Sequence, residues 1–480
     1  MAIADISEGI DSLNYTSHSA EHQTVKVYDD LCVVVWKGVN LPIHMSSYSI
    51  DSGGNMSDAP LDDYEVYTGD APVDAFPVGS VCIGNGIVAT LFDAWNPYYV
   101  VLKTHKIETD GSISHIDTWL VTNWPTNEEG GGDSICNIIH VAGTTYALLL
   151  HNDDYRILRT VTINADGTFP ETILDEESWY GKRVGAKASL ITMGGGIFVV
   201  AWESWVSSNL YGLHLNSYSI NEAGAITLLD DKSLIAPAER DSHNVCLVAV
   251  NSGVIAALYY HEDWGGSTDS FTLRTVAMSG GTFGSTLDTE VITPTGTQPH
   301  IIHIAGNIFL YAYRNSGERV RTVTISSTGI IGATVDERDP MGGYFPYLMH
   351  VLGNVFTINY ASAVNTYGWV VSFTVEYVVA GTGYIWTSDE GGEETELHYI
   401  DGTSTERSLE GTVTGNTGDP GYLWIEGIYL YYIDSEGDER RIEGASTGGT
   451  GTAGQIWIEG AYLHWIADDG DEKRIQGVAQ

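Results

Sequence analysis

Basic residues are scarce in this chain. Its 480 residues hold 21 Lys and Arg against 63 Asp and Glu, a formal net charge of −42. Nucleic-acid binding needs a basic face to neutralise phosphates, so no nucleic-acid partner is expected. An anionic membrane surface is repelled for the same reason. The acidity leaves cation binding, life in high salt, or a solvated surface on an exposed protein, and the last is the preferred reading. Cysteine is scarce too. Cys32, Cys82, Cys136 and Cys246 fall in apolar stretches far apart in the chain. Each falls in a strand of a different repeat unit of the fold read below, and residues of separate units rarely meet the Cα spacing of roughly 5.5–6 Å that a disulfide needs. No zinc-ligand spacing is present. All four are expected to be reduced and buried in the core.

Long apolar runs are missing, and with them any membrane insertion by a helix. The opening MAIADISEGIDSLN has neither a basic region nor an apolar stretch, so no signal peptide is expected. The product is then made in the cytosol and leaves, if it acts outside, by lysis or a dedicated route. There is no phosphate loop, no Gly-x-Ser-x-Gly elbow and no zinc motif, so neither cofactor nor metal is expected.

What is present is a repeat. Residues 299–339 read PHIIHIAGNIFLYAYRNSGERVRTVTISSTGIIGATVDERD. Four apolar, β-branched runs are separated by turns at Gly306-Asn307, 315–318 and Gly329. Such runs, split by Gly and Asn, are strands. The first-turn glycine recurs at Gly86, Gly143, Gly195, Gly253, Gly306 and Gly353, with Asp29-Asp30 in its place in the first unit. A second glycine, at Gly53, Gly111, Gly167, Gly224, Gly281 and Gly329, follows the third run. Seven units of four strands, at a period of roughly fifty residues, describe a β-propeller. The seventh unit lacks a fourth strand before the composition changes near Gly381. Residues 6–13 resemble a fourth strand and can complete it, closing the ring and removing an open edge. The expected fold is all-β: residues 1–380 form a seven-bladed propeller closed by its N-terminal strand, and 381–480 a small repeat-built all-β domain.

In a propeller the loops joining second to third strands share a face with the loops joining successive blades. Trp95, Trp124, Trp179, Trp205 and Trp264 fall on or beside these loops, as do Asp93, Glu203, Glu262 and Asp263. An aromatic platform flanked by carboxylates suits a sugar, whose C–H face packs on the rings while its hydroxyls bond the acids. The alternative is that these Trp residues fill gaps between blades. His140, His303 and His350 share one register, three residues before a turn glycine. They are either polar residues satisfied by backbone or, less simply, a metal site. Catalytic residues are not assigned. The turn 164–169 departs from the Ser-x-Asp-x-Gly-x-x-Trp turns of sialidase-like propellers. Carboxylate pairs drawn from Asp93, Glu203 and Asp263 are expected by chance in so acidic a chain.

From Gly383 three short repeats align, and the last two are near-copies: YLWIEGIYLYYIDSEGDERRIEG and QIWIEGAYLHWIADDGDEKRIQG. Each reads as three strands, with Ser/Thr/Gly linkers at 412–419 and 445–454. One such meander cannot bury a core alone. Its aromatic side (Trp386; Trp424, Tyr429, Tyr431; Trp457, Tyr462) must meet sister repeats or another chain. The pattern resembles short repeats at the ends of bacteriophage fibre and virion-surface proteins. The earlier residues resemble seven-bladed propellers generally. These resemblances imply a non-enzymatic virion-surface or extracellular assembly or adhesion protein. Its propeller would be exposed and take surface glycan. Its C-terminal repeats would bind other copies or virion proteins. A polysaccharide-acting propeller enzyme (glycoside hydrolase or lyase) and an intracellular scaffold are the alternatives.

Overall fold

The computed structural model describes residues 4–7, 10–16, 22–37, 43–67, 76–94, 99–123, 137–151, 155–180, 188–207, 210–234, 242–261, 270–292, 299–314, 318–338, 343–362 and 367–377, and twelve strands beyond them. All regular structure among these residues is strand. The chain divides into a compact unit of residues 3–377 and a second that holds 378–480.

The larger unit is a seven-bladed propeller, each blade an antiparallel sheet in simple up-and-down order. Blade 1 is His22–Lys26, Leu31–Lys37, Ile43–Ser49 and Asp62–Tyr67. Blade 2 is Phe76–Gly84, Ile87–Ala94, Tyr99–Ile107 and Ile113–Asn123. Blade 3 is Asn137–Ala142, Thr145–His151, Tyr155–Thr162 and Ile173–Tyr180. Blade 4 is Ser189–Gly194, Ile197–Ser207, Leu210–Ile220 and Ile226–Ser233. Blade 5 is Ser242–Asn251, Val254–His261, Ser270–Ser279 and Thr282–Ile292. Blade 6 is His300–Ala305, Ile308–Arg314, Glu318–Ile325 and Ile331–Arg338. Blade 7 is Gly343–Leu352, Val355–Ser362 and Tyr367–Tyr377, completed by the N-terminal strands. The first strands of successive blades lie side by side around the ring, with blade 7 meeting blade 1.

The N-terminal segment supplies two short strands where one was expected. Ala4–Ile6 and Asp11–Thr16 both pair with Tyr367–Tyr377, with Ile6 opposite Val375 and Asp11 opposite Ser372. Fourth strands elsewhere are irregular just before the equivalent aspartate or at it. In blade 2 the register shifts between His115 and Asp117. The interruption in blade 7 is a larger version of the same bulge.

The core lies between blades. Leu91 and Leu102 of blade 2 pack with Leu148 and Val161 of blade 3, and Val199 and Leu215 of blade 4 with Ile255 and Val276 of blade 5. Three devices join the faces. First, a hydroxyl on the third strand of six blades donates to a turn glycine carbonyl in the next blade: Ser47 to Gly111, Thr104 to Gly167, Thr160 to Gly224, Ser217 to Gly281, Thr275 to Gly329 and Ser372 to Gly54. These six glycines have φ of 85–90°, which a side chain rarely adopts. In blade 1 this role belongs to Gly54, not to Gly53 as expected. Gly54 takes the positive φ because it, and not its neighbour, closes the turn on Asp51. Second, a Leu or Ile packs on that glycine from the preceding blade. A Cβ added at Gly224 would stand 2.6 Å from Leu174 Cδ1.

Third, and not anticipated from sequence, an aspartate on every fourth strand accepts a backbone amide from the next blade. Asp62 binds Ile113, Asp117 binds Phe169, Asp175 binds Ile226, Asp230 binds Phe283 and Asp288 binds Ile331. Asp336 binds Ile6, and Asp11 binds Met56, all at 2.7–2.9 Å. The other carboxylate oxygen accepts the amide of the following residue at 2.7–3.0 Å. The latch runs through all seven seams, and the N-terminal segment takes part in two of them.

The cysteines depart in part from expectation. Cys32 is buried, and burial pushes its thiol up to about 12. Cys82 and Cys246 are only half-buried, because they sit on first strands lining the centre of the ring, where packing covers one side. Cys136 lies outside the described residues.

The C-terminal unit contains three four-stranded sheets, not three-stranded meanders. Ile385–Ser388, Glu396–Ile400 and Glu406–Leu409 are joined by Val478–Ala479. Leu423–Glu426, Tyr429–Ile433 and Asp438–Glu443 are joined by Thr412–Thr417. Ile456–Glu459, Tyr462–Ile466 and Asp471–Gln476 are joined by Ala445–Thr450. Much of the two expected linkers is therefore strand. Their Ser, Thr and Gly residues pair with a repeat other than the one they follow.

Candidate functional site

Aromatic residues occupy one register of the second strands: Trp36, Phe92, Trp202, Tyr259, Tyr313 and Tyr360 stand at equivalent places, all buried. In three blades a third-strand cation lies over the ring. Lys103 is 5.8 Å from the Phe92 centroid, Arg274 5.9 Å from Tyr259 and Arg321 5.3 Å from Tyr313. In blades 1 and 4 a histidine stacks instead, His44 on Trp36 at 4.4 Å and His214 on Trp202 at 4.9 Å. These positions fill seams between blades, the bland alternative for Trp residues near this face.

The seam between blades 3 and 4 carries more. Trp179, near the end of the outer strand of blade 3, is half-buried. Its ring lies 5.8 Å from Tyr218 and 6.1 Å from Trp202 of blade 4. Trp202 donates through Nε1 to Asn216 Oδ1 at 3.1 Å, and Asn216 donates to the Tyr218 hydroxyl at 3.0 Å. The stack is thus held from behind by a hydrogen-bonded chain. No described residue accepts from Trp179 Nε1. Arg156, opposite Trp179 in register, is fully buried, and desolvation pushes its guanidinium down to about 9, with Glu203 opposing the shift. Glu203 comes from blade 4 and is 2% exposed. The seam therefore combines a buried opposite-charge pair, an ordered aromatic stack and, at its edge, one half-buried indole whose Nε1 is itself covered.

Of the expected face residues, Trp179 lies in this seam at its margin. Glu203 lies in the seam as well, buried and not lining the face, because the charge of Arg156 draws it inward. Asp93 and Trp205 are placed by backbone alone, opposite Phe76 and Tyr211 respectively. Trp95, Trp124, Trp264, Glu262 and Asp263 lie outside the described residues. Trp202, Tyr218, Asn216 and Arg156 escaped sequence reading because only the cross-blade register brings them to Trp179. The second-strand aromatic register was a signal that could have pointed to Trp202. In the C-terminal unit Trp386, Trp424, Tyr429, Tyr431, Trp457 and Tyr462 all fall on strands.

The three register-sharing histidines have backbone partners. Nε2 of His140, His303 and His350 lies 3.0, 3.0 and 2.8 Å from the carbonyls of Gly143, Gly306 and Gly353. Each ring must donate from that nitrogen, which fixes Nε2 as protonated and caps its own turn. No group of three or more potential ligands gathers for a metal among the described residues. A different histidine is unusual. His105 of blade 2 is fully buried against Tyr64 of blade 1 and His115, and neither ring nitrogen has a described partner.

Comparison with family models gives no match, and comparison with curated proteins gives none. Among solved structures, the chain is similar to the BP39L lectin from Burkholderia pseudomallei, at 11% identity and a TM-score of 0.49, over 75% of this chain and 98% of that one. It is similar to the GH93 alpha-L-arabinofuranosidase of Fusarium graminearum, at 12% identity and a TM-score of 0.42, over 63% and 92%. It is also similar to Sqt1 from Chaetomium thermophilum, at 9% identity and a TM-score of 0.43, over 99% and 100%. Likeness of this order assigns neither ligand nor activity.

Proposed function

We propose that this is a carbohydrate-binding propeller, a binding protein and not an enzyme, that takes saccharide at the edge of the blade 3–4 seam and is attached through its C-terminal repeats. The observation that supports the reading is Trp179: a half-buried indole at the margin of the seam, backed by Trp202 and Tyr218. A sugar ring offers a C–H face that can stack on the exposed part of such an indole. Display on a virion surface or in an extracellular assembly is the setting proposed for such a head. The acidic surface keeps it soluble, and the repeats hold it in place.

A glycan array paired with a product assay on the retained sugars tests this. Binding without turnover is expected, and Trp179→Ala should weaken it roughly fivefold, the effect of losing about 1 kcal/mol of aromatic contact. Turnover of a retained sugar would convert the reading to a polysaccharide-acting enzyme. Binding unchanged in Trp179→Ala would remove the seam as its site.

A further inference from the structure

Blade 2 departs from its sister blades at one pair of facing positions. Just beyond the latch aspartate, four other blades set a third-strand residue opposite a fourth-strand one as Val161 and Ile173, Tyr218 and Leu228, Val276 and Thr286, and Val323 and Thr334. Blade 2 sets His105 opposite His115. Side chains directly opposite in an antiparallel pair share a face, with Cβ atoms roughly 4.5–5.5 Å apart. The two imidazole rings meet there at 5.6 Å between centroids, with their planes at 70°. Tyr64 of blade 1 covers His105 from across the seam, 5.4 Å away.

The two histidines differ in exposure. His105 is fully buried, and neither ring nitrogen has a hydrogen-bond partner among the described residues. A neutral imidazole carries one N–H donor and one acceptor, so two polar atoms are stranded. An apolar side chain at this position, such as Val161 of blade 3, avoids that cost. Stranded groups of this kind call for an ordered water or an ion. His115 is exposed, on the solvent side of the pair. Its Nε2 lies 2.8 Å from Thr118 Oγ1. With Nε2–H donating to that hydroxyl, the Nδ1 lone pair is available to an ion. A hydrogen bond at the second nitrogen is what orients a metal-bound imidazole. An ion about 2.1 Å from one nitrogen of each ring, at a tetrahedral angle, places the ring centroids roughly 5–5.5 Å apart. The 5.6 Å found requires little movement.

We propose that His105 and His115 form a two-imidazole site for a divalent transition-metal ion such as Zn²⁺ or Cu²⁺, with water in its remaining positions. Imidazole nitrogen suits these ions, whereas Ca²⁺ and Mg²⁺ take oxygen ligands. Lys103 bears a like charge on the same strand, and its ammonium donates to the Val66 carbonyl at 2.6 Å. That charge opposes a cation, and two protein ligands are fewer than a structural zinc site has. The ion is therefore exchangeable, not a condition of folding. It ties the outer strand of blade 2 to the third strand beneath Tyr64.

Full-length protein freed of metal with a chelator and titrated with Cu²⁺ tests this, beside two variants. His115→Gln changes an exposed position. His105→Phe puts there the aromatic that blade 7 has at this register in Phe373. The parent should hold one equivalent that both variants bind about tenfold or more less tightly, since even an outer partner of a metal ligand is worth that much. Electron paramagnetic resonance of that equivalent should show two nitrogen ligands. Zn²⁺ should raise the propeller's thermal midpoint in the parent alone, and Ca²⁺ should not reproduce the effect. Equal copper affinity and stoichiometry in the parent and His115→Gln overturns the proposal. So does a spectrum with oxygen ligands alone, which would assign the copper to the acidic surface, or a Zn²⁺ shift that survives in the variants. Should His105→Phe fail to fold, His115→Gln decides alone.

Discussion

Removing one carboxylate from a seam unpairs two backbone amides at once. Asp230 accepts from Phe283 across the seam and from Asp231 along its own strand. Asp230→Ala is expected to lower stability by about 1–3 kcal/mol, the cost of leaving a buried donor without a partner, and Asp230→Asn by less, since one acceptor oxygen remains. Urea unfolding of the two variants measures this. A cost in neither would show that water replaces the latch. His105 gives a second prediction at this scale. Burial, with Lys103 and His115 close by, pushes its pKa down to about 3, from an ordinary value of 6.5. Between those values the unfolded chain binds the proton and the folded chain does not. Stability should therefore fall as pH drops below about 6.5, by at most roughly 1.4 kcal/mol per pH unit. The other blades carry Tyr48, Tyr218 and Phe373 among the residues at the same register, so His105→Phe should fold and flatten the decline between pH 6.5 and 5. Thermal melts across that interval decide it, and an undiminished slope in the variant would assign the decline to other groups.

The N-terminal segment is the element on which closure depends. Without it Asp336 loses its partner at Ile6 and Met56 loses Asp11, while Tyr367–Tyr377 becomes an open edge. Deleting residues 1–15 should cost about 2–6 kcal/mol from the two latches alone and favour aggregation through the exposed strand. A truncated protein that melts with the full chain would contradict this. The missing fourth strand of blade 7 was legible in the sequence because β-branched runs and turn glycines recur at fixed offsets, and one slot stood empty. The aspartate latch was not legible. One Asp per blade disappears among 63 acidic residues, and only the register shows that all seven meet an amide. The strands Thr412–Thr417 and Ala445–Thr450 were hidden for another reason. Ser-, Thr- and Gly-rich stretches read as linkers, and their pairing partners lie in a different repeat. At the candidate site Trp179 was legible as a loop-flanking tryptophan. Glu203 was misplaced because its burial depends on Arg156, a residue of another blade.

At the scale of the molecule, two closed rings follow one another in a single chain, and each is closed by a strand distant in sequence from its partner. The propeller latches connect only residues within 3–377, and the strand exchanges connect only residues within 406–479. No latch needs the other unit, so each ring should unfold cooperatively by its own transition. Calorimetry of the full chain should then show two transitions. A protein ending at Val379 should keep the larger one at an unchanged midpoint, remain monomeric and retain saccharide binding at the propeller, but lose attachment. Removing only residues 478–480 takes the fourth strand from the sheet of Glu406–Leu409 and opens the three-sheet ring. That change should lower or abolish the smaller transition and leave the larger where it was. A shift of the larger transition in either protein would mean that the propeller draws stability from the C-terminal ring, and the two would have to be treated as one cooperative structure.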